Sequence, residues 1–308
     1  MPSDHRDRLA AMLYSARLTE VARRHVPARA RRLARDLRDA IASDHEYIPE
    51  GWTRARHDPT ILPGMENGAS QLAGHESRWP AFVRAVQGTG LLGINHELPV
   101  PGGELPRTDD LGTHNTVISY AYVLALAAAR KDTLAMLDWG GAIGQYCVLS
   151  EALLPEVDIG YSCKDAAALC ALGRTLLPRA TFYDDDACFE RTYDLVVASG
   201  SLALSEDWSD VLDRLARAAD EYLYIARLPI VVGHRSFVVL QRAYSRGLRI
   251  GSLQWALNRN EFLDAAQASG LELVREFLSA ETTTVRGAPE RIDSRHFLFR
   301  KSPEGEDQ

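Results

Sequence analysis

The stretch best suited to hold a ligand is LDWGGAIGQY, residues 137–146. An apolar strand, Thr133–Leu137, runs into Asp138 and a glycine turn, and a helix over about 145–154 follows. Such a turn lets a ligand approach the backbone, and the next helix points its N-terminal N–H groups at it. The dinucleotide pattern G-x-G-x-x-G, read from Gly140, meets Ala142 and Gln145, and the phosphate-loop pattern G-x-x-x-x-G-K-[ST] is absent. The spacing follows D-x-G-x-G-x-G instead, as Asp138, Gly140, Ala142 and Gly144, with one glycine replaced. A second chemistry is proton transfer. His114, in THNT, and His234, in LPIVVGHRSF, are the candidate bases, since imidazole titrates near neutral pH. Each also has a plain structural alternative, beside helix-capping residues for His114 and in a surface loop for His234.

Metal chemistry is not expected. Cys147, Cys163, Cys170 and Cys188 show no C-x-x-C pairing and no histidine at zinc spacing, so reduced thiols of a cytoplasmic protein are expected. The aspartates at 184–186 leave a small opening for magnesium, or form a solvated turn.

The elements that must position these groups alternate from about residue 113. A helix (Val117–Arg130) feeds the strand before the glycine turn. Strands follow near 157–162, 180–183, 193–198, 222–226, 271–277 and 296–300, with helices over 165–176, 207–219 and 259–268. Ser205 is the expected cap of the second of these helices. Asn258 is the expected cap of the third, and Gly270 its stop. Strands separated by helices imply a mainly parallel sheet with right-handed crossovers, and ligands of such sheets bind beyond the strand C-termini. Residues 227–257 read as a long insertion. Residues 5–43 carry apolar positions at helical spacing, giving one or two amphipathic helices. Residues 44–112 hold seven of the 14 prolines and ten of the 22 glycines, together with Trp52 and Trp79. That composition argues against long regular elements and suits a cap over the strand ends, with the tryptophans as anchors. The tail after Lys301 is expected to be disordered.

Composition limits the partners. A net charge of −7 argues against nucleic-acid binding, and no apolar run reaches the ~20 residues of a membrane span. Residues 1–41 carry ten arginines against five acids, and the interleaved acids spoil a continuous positive stripe. A small-molecule acceptor is the expected partner.

With the glycine turn in LDWGGAIGQY, several further segments stand in a set order: HNTVISYAY (114–122), GRTLLPRATF (173–182), YDLVVASGSL (193–202) with EDW (206–208), ARLP (226–229) and WALNRNEF (255–262). On these segments the chain resembles the class I S-adenosylmethionine-dependent methyltransferases. More narrowly, from EYIPEGW (46–52) to the last strand, it resembles a family of bacterial methyltransferase-like proteins from surface-polysaccharide and natural-product loci. The resemblance implies an α/β fold: a Rossmann-like sheet over 113–301, preceded by an N-terminal helical and irregular cap over 1–112. It implies S-adenosylmethionine as cofactor and methyl transfer to a small natural-product or sugar acceptor, with an acceptor oxygen preferred. Asp138 and the backbone of Gly140, Gly141, Ala142 and Gly144 would hold the methionine end. Asp165 would take the ribose hydroxyls or cap the helix after it, or both. Asp185 would meet the adenine amino group, while Ser199 and Gly200 would pass beside the sulfonium or form an ordinary turn. Tyr120 would line the cofactor pocket or pack in the core. On the acceptor side stand Trp52, Trp255 and Arg259, with Arg227 placed to clamp a carboxylate or phosphate or to form a surface ion pair. Ala142, where a glycine is usual, leaves open a protein of this fold that does not transfer methyl, or a metabolite-binding module.

Overall fold

Alternate residues of a strand face opposite sides, and the central strands carry apolar side chains for both. Leu195 and Val197 join one buried cluster with Tyr120, Met136 and Tyr224. Val196 and Ala198 join another with Leu137, Leu223 and Phe262. Strands covered on both faces belong inside a helix-flanked sheet. The structure, a computed structural model describing residues 44–58, 69–93, 109–242 and 251–302, contains that sheet. The helices expected within 5–43 and the tail 303–308 lie outside the described residues.

The strands are β1 (His45–Ile48), β2 (Thr133–Trp139), β3 (Asp158–Lys164), β4 (Thr181–Tyr183), β5 (Tyr193–Ser199), β6 (Ala219–Val231), β7 (Phe237–Arg242), β8 (Gly251–Asn258), β9 (Leu271–Thr283) and β10 (Ile292–Lys301). The central order is β4-β3-β2-β5-β6-β10-β9, parallel except for β10, which runs antiparallel to both neighbours. The chain winds outward from β2 to β4 and returns beside β2 as β5. The crevice at that reversal, beyond the C-terminal ends of β2 and β5, is where such a sheet binds ligands.

Helices α1 (Trp52–His57), α2 (Ala69–Gln87), α3 (Leu111–Ala127), α4 (Gln145–Leu153), α5 (Ala167–Leu176), α6 (Trp208–Ala218) and α7 (Arg259–Ala268) complete the described chain. α3 and α4 cover one face of the sheet, and α6 and α7 cover the other. α3 begins at Leu111, earlier than its apolar run suggests, because the Asp110 side chain accepts the Thr113 N–H at 2.7 Å. Asn258 caps α7 by accepting the N–H groups of Asn260 and Glu261, and Gly270 ends it at φ 75°, both as expected. Ser205 is not the cap of α6. A 3-10 turn, Leu202–Leu204, ends at Ser205, and the helix starts after Asp207.

Two expectations for the flanking segments are corrected. α2 runs for 19 residues with Pro80 inside it, although the Pro and Gly content of 44–112 argued against such an element. An internal proline costs about 3 kcal/mol, and burial of Phe82 and Val86 at one-turn spacing opposes that cost. Residues 227–257 are also not a separate insertion. β5 stops where Ser199 pairs with Ala226, while β6 continues to Val231. There β8 becomes its neighbour, pairing Leu257 with Ile230, and β7 and β1 add outward from β8. α1 packs on this wing through Trp52 and Ala55, against Val238, Leu240 and Leu253. The wing stands at the same sheet edge as the glycine turn, since β8 lies against the 3-10 turn that follows β5.

Candidate functional site

The glycine turn is built around a buried carboxylate. Asp138 is fully buried at the end of β2, and its Oδ2 accepts the Tyr161 hydroxyl at 2.5 Å. Among the described residues its Oδ1 has no partner. Burial pushes the Asp138 carboxyl up to about 7, with the Asp165 charge adding to the rise and the Tyr161 bond opposing it. Gly141 lies against this carboxylate so closely that a β-carbon there would be 2.3 Å from Oδ2. Gly140 at φ 76°, Ala142 at φ 51° and Gly144 at φ 92° wind the backbone through three left-handed positions into α4. Bonds from Gly140 N–H to Lys164 O (2.7 Å) and from Gly144 N–H to Gly141 O (2.9 Å) close the turn.

Ala142 therefore keeps the turn that glycine would make, at a cost. The left-handed region costs a residue with a β-carbon about 1–2 kcal/mol, partly offset by the smaller freedom of alanine when unfolded. Ala142→Gly should raise unfolding stability by about 0.5–1 kcal/mol, measured by urea denaturation. A loss of stability would mean that the methyl group packs usefully.

The structure gathers most of the residues expected to meet a cofactor. Asp165 reaches back to the turn, its Oδ2 accepting the Ala142 N–H at 2.8 Å and its Oδ1 the Ala166 N–H at 2.7 Å. Ala166, not Asp165, is the N-cap of α5. Across the crevice, the Ser199 Oγ accepts the Tyr146 hydroxyl at 3.0 Å. Ser201 Oγ donates to Trp139 O at 2.8 Å, tying the ends of β5 and β2 together. Gly200 takes φ 69°, and a β-carbon there would sit 3.5 Å from the Arg227 guanidinium, so Arg227 lies over Gly200. Its direction comes from a bulge. The register of β10 on β6 shifts between Arg295 and Phe297, leaving His296 opposite both Ala226 and Arg227, and Arg227 adopts φ 55°.

The other candidates make different contacts. Tyr120 is fully buried, with its hydroxyl 2.5 Å from Ser150 Oγ and its ring edge-on to Tyr146 at 4.4 Å. It packs in the core, one layer behind Ser199. Asp185 accepts the Ala187 N–H and opens a 3-10 turn, while Asp186 pairs with Arg214 at 2.8 Å. His114 stands in the first turn of α3, one turn before Val117, which belongs to the apolar cluster of Phe82 and Val86. Ser119, on the same helix, meets Tyr224 on β6 through its hydroxyl. His234 is exposed in the turn after β6, where its N–H donates to Glu290. β6 runs five residues beyond Ala226, about 16 Å of extended chain, so His234 is removed from the glycine turn. His234 is thus away from the crevice, whereas His114 Nδ1 is buried and has no hydrogen-bond partner among the described residues.

Trp52 and Trp255 stack at 5.8 Å, and the Trp255 indole donates to Glu206 O at 3.0 Å. Thr53 and Arg56 bind the Glu206 carboxylate at 2.8 and 2.6 Å, fastening α1 beside the end of β5. Arg259 is ion-paired within the chain. Its guanidinium is spent on Glu276 at 2.6–2.9 Å, and Arg295 binds the same carboxylate at 2.7 Å. Burial raises the Glu276 carboxyl, but these two arginines outweigh it and hold it below the usual range.

Several residues of the site carry weak signals in sequence. Tyr146 follows Gly144 by two positions, a spacing that places it in the first turn of α4. His75 reaches the same turn from α2, its Nδ1 accepting from Gln145 Nε2 at 3.2 Å. Tyr161 and His296 have no motif around them, because strand register brings them in.

The strand order and the glycine turn at its reversal define a Rossmann-like sheet. No known protein-family profile matches the chain, and no curated protein matches it. Several solved structures follow a similar chain path. Magnesium protoporphyrin IX methyltransferase from Synechocystis PCC 6803, with bound S-adenosylmethionine, is 16% identical, with 77% of this chain and 100% of that one covered and a TM-score of 0.42. The 1,6-didemethyltoxoflavin-N1-methyltransferase of Burkholderia thailandensis is 14% identical over 61% and 79% of the two chains, TM-score 0.42. The sugar N-methyltransferase KedS8 of Streptoalloteichus sp. is 17% identical over 64% and 90%, TM-score 0.41. These are distant likenesses.

Proposed function

We propose that the chain is an S-adenosylmethionine-dependent methyltransferase acting on an oxygen of a small-molecule acceptor of the natural-product or sugar class. The carrying observation is the left-handed turn Gly140–Gly144, set at the strand reversal over the buried Asp138 carboxylate. The residues present fit the cofactor. The turn presents backbone without side chains at Gly140, Gly141 and Gly144, and a buried carboxylate oxygen lacks a donor beneath it. The cofactor supplies a methyl group on a sulfonium, and the protein's part is alignment and exclusion of water, which can supply about 7–11 kcal/mol.

In this proposal Asp138 and the turn hold the methionine end, Asp165 and Asp185 the ribose and adenine side, and Ser199 and Gly200 the space beside the sulfonium. Tyr120 supports Tyr146 and Ser199 from behind. Trp52 and Trp255, on the wing, and Arg227, over Gly200, form the acceptor side. The segments His45–His57 and Ala69–Gln87 act as its cap, since they reach Glu206 and Gln145. No helix among the described residues is long and apolar enough to cross a membrane.

Calorimetric titration tests the proposal directly. S-adenosylmethionine and its demethylated product should both bind, NAD should not, and Asp138→Ala should weaken binding by about 1–3 kcal/mol. No affinity for either nucleoside at millimolar concentration would overturn it, and binding of NAD alone would replace it with a dinucleotide-binding function.

A further inference from the structure

A chain of buried hydroxyls fixes which nitrogen of His296 carries its proton. Ser119 Oγ lies 2.8 Å from Asn115 O and 3.0 Å from Thr116 O, and carbonyls only accept, so the serine proton is committed to them. The Tyr224 hydroxyl, 2.9 Å from Ser119 Oγ, must then donate to the serine. His296 Nδ1 lies 3.0 Å from the Tyr224 oxygen and must in turn donate to it. The imidazole therefore has Nδ1–H and a bare lone pair on Nε2. That nitrogen is buried and has no partner among the described residues, and the whole His296 side chain is fully buried. Leaving a buried acceptor unmet costs about 1–3 kcal/mol, so the working molecule brings a donor to it.

Position says what that donor is. His296 sits in the β6–β10 bulge opposite Ala226 and Arg227, at the level where β5 ends in Ser199. Arg227 lies over Gly200 on the same edge. We infer that His296 Nε2 receives the proton of the acceptor's hydroxyl group, with Tyr224 and Ser119 as positioning residues that hold it in the basic tautomer. This rests on the methyltransferase proposal above. As the acceptor oxygen bonds to the methyl carbon, the carbon–sulfur bond breaks with its pair left on sulfur. The hydroxyl proton moves to Nε2 and later to water. Enclosure suits the task, because a base shielded from bulk water meets only a proton delivered by a ligand. Burial, with the Arg227 charge adding, pulls the imidazole down to about 4, which keeps it neutral at pH 7.

The test is nitrogen NMR of the full chain labelled at histidine. At pH 7 His296 should be the Nδ1–H tautomer, and Tyr224→Phe should release a mixture of both tautomers. Phenol, used as a simple hydroxyl probe, should shift the Nε2 resonance as it donates to it, whereas anisole, which lacks the hydroxyl, should not. An Nε2–H tautomer in the wild type would overturn the inference. So would phenol and anisole acting alike, or neither acting, as expected if Nε2 merely holds a trapped water. His296→Gln should bind S-adenosylmethionine within about threefold of the wild type. A tenfold loss would make His296 a support of the cofactor site and overturn its place on the acceptor side. Wild-type chain that fails to bind S-adenosylmethionine sinks the methyltransferase proposal instead, and the tautomer measurement reads separately from that result.

Discussion

Asp138→Asn should remove a large pH dependence of stability. The carboxyl sits at about 7 in the folded chain against an ordinary 3.8, chiefly through burial. Between those values the folded state keeps a proton that the unfolded state releases. Its contribution to stability is thus fully present below about pH 4, lost as pH rises through 7, and level above. The total is on the order of 4 kcal/mol, from about 1.4 kcal/mol per pH unit. Asparagine keeps an oxygen for the Tyr161 hydroxyl and does not titrate. Urea unfolding at pH 5 and pH 8 should show the wild type losing about 2–3 kcal/mol of stability relative to the variant at the higher pH, since about two pH units of that window lie above pH 5. The comparison must be a difference between the two proteins, because Glu276 and Asp194, both held below the usual carboxylate range, slope the other way at acid pH. Parallel pH profiles would place the titration of Asp138 elsewhere.

The second large effect is steric. Gly141→Ala sets a β-carbon 2.3 Å from Asp138 Oδ2 and 2.4 Å from its Cγ. That carboxylate has little room to yield, since it is fully buried and bonded to Tyr161. Overpacking of this kind costs about 1–3 kcal/mol, and the displaced turn should also weaken S-adenosylmethionine binding by at least about tenfold. Gly160→Ala is the matched control. A β-carbon there meets Leu134 O at an ordinary 3.6 Å, so stability and binding should both hold. A Gly141→Ala protein with unchanged melting temperature and affinity would show that the turn yields, and the tight cradle would lose its meaning.

The parts of this arrangement that were legible in sequence are the ones set by neighbours in the chain. The glycine turn follows its strand directly, Asn258 caps the helix that begins one residue later, and Gly270 ends it. The parts that were not legible depend on partners far away. Nothing near Arg259 announces Glu276, which takes its guanidinium. Nothing in ARLP announces that β6 keeps its course past Ala226, because the pairing that holds it there comes from Leu257 and Asp293. His296 enters the site through a register shift between two strands, a property of their pairing and not of either sequence alone. Pro80 misleads for the complementary reason. A local rule against helix was outweighed by apolar contacts with other elements.

The wing beside the crevice also bears on how the protein assembles. β1 is the first strand of the sheet in chain order, yet its partner is β7, and His45 pairs with Gln241 about two hundred residues away, a separation of the kind that slows folding. Glu46 bridges still farther, to Arg286. A ribosome releasing this chain would free β1 and α1 long before anything exists for them to pair with, and the parallel core from β2 to β6 would form first. Trp52 would stay wet until Trp255 emerged. The acceptor side would thus be the last part of the crevice to acquire its walls, and a chain interrupted before β7 would carry a glycine turn with no wing beside it.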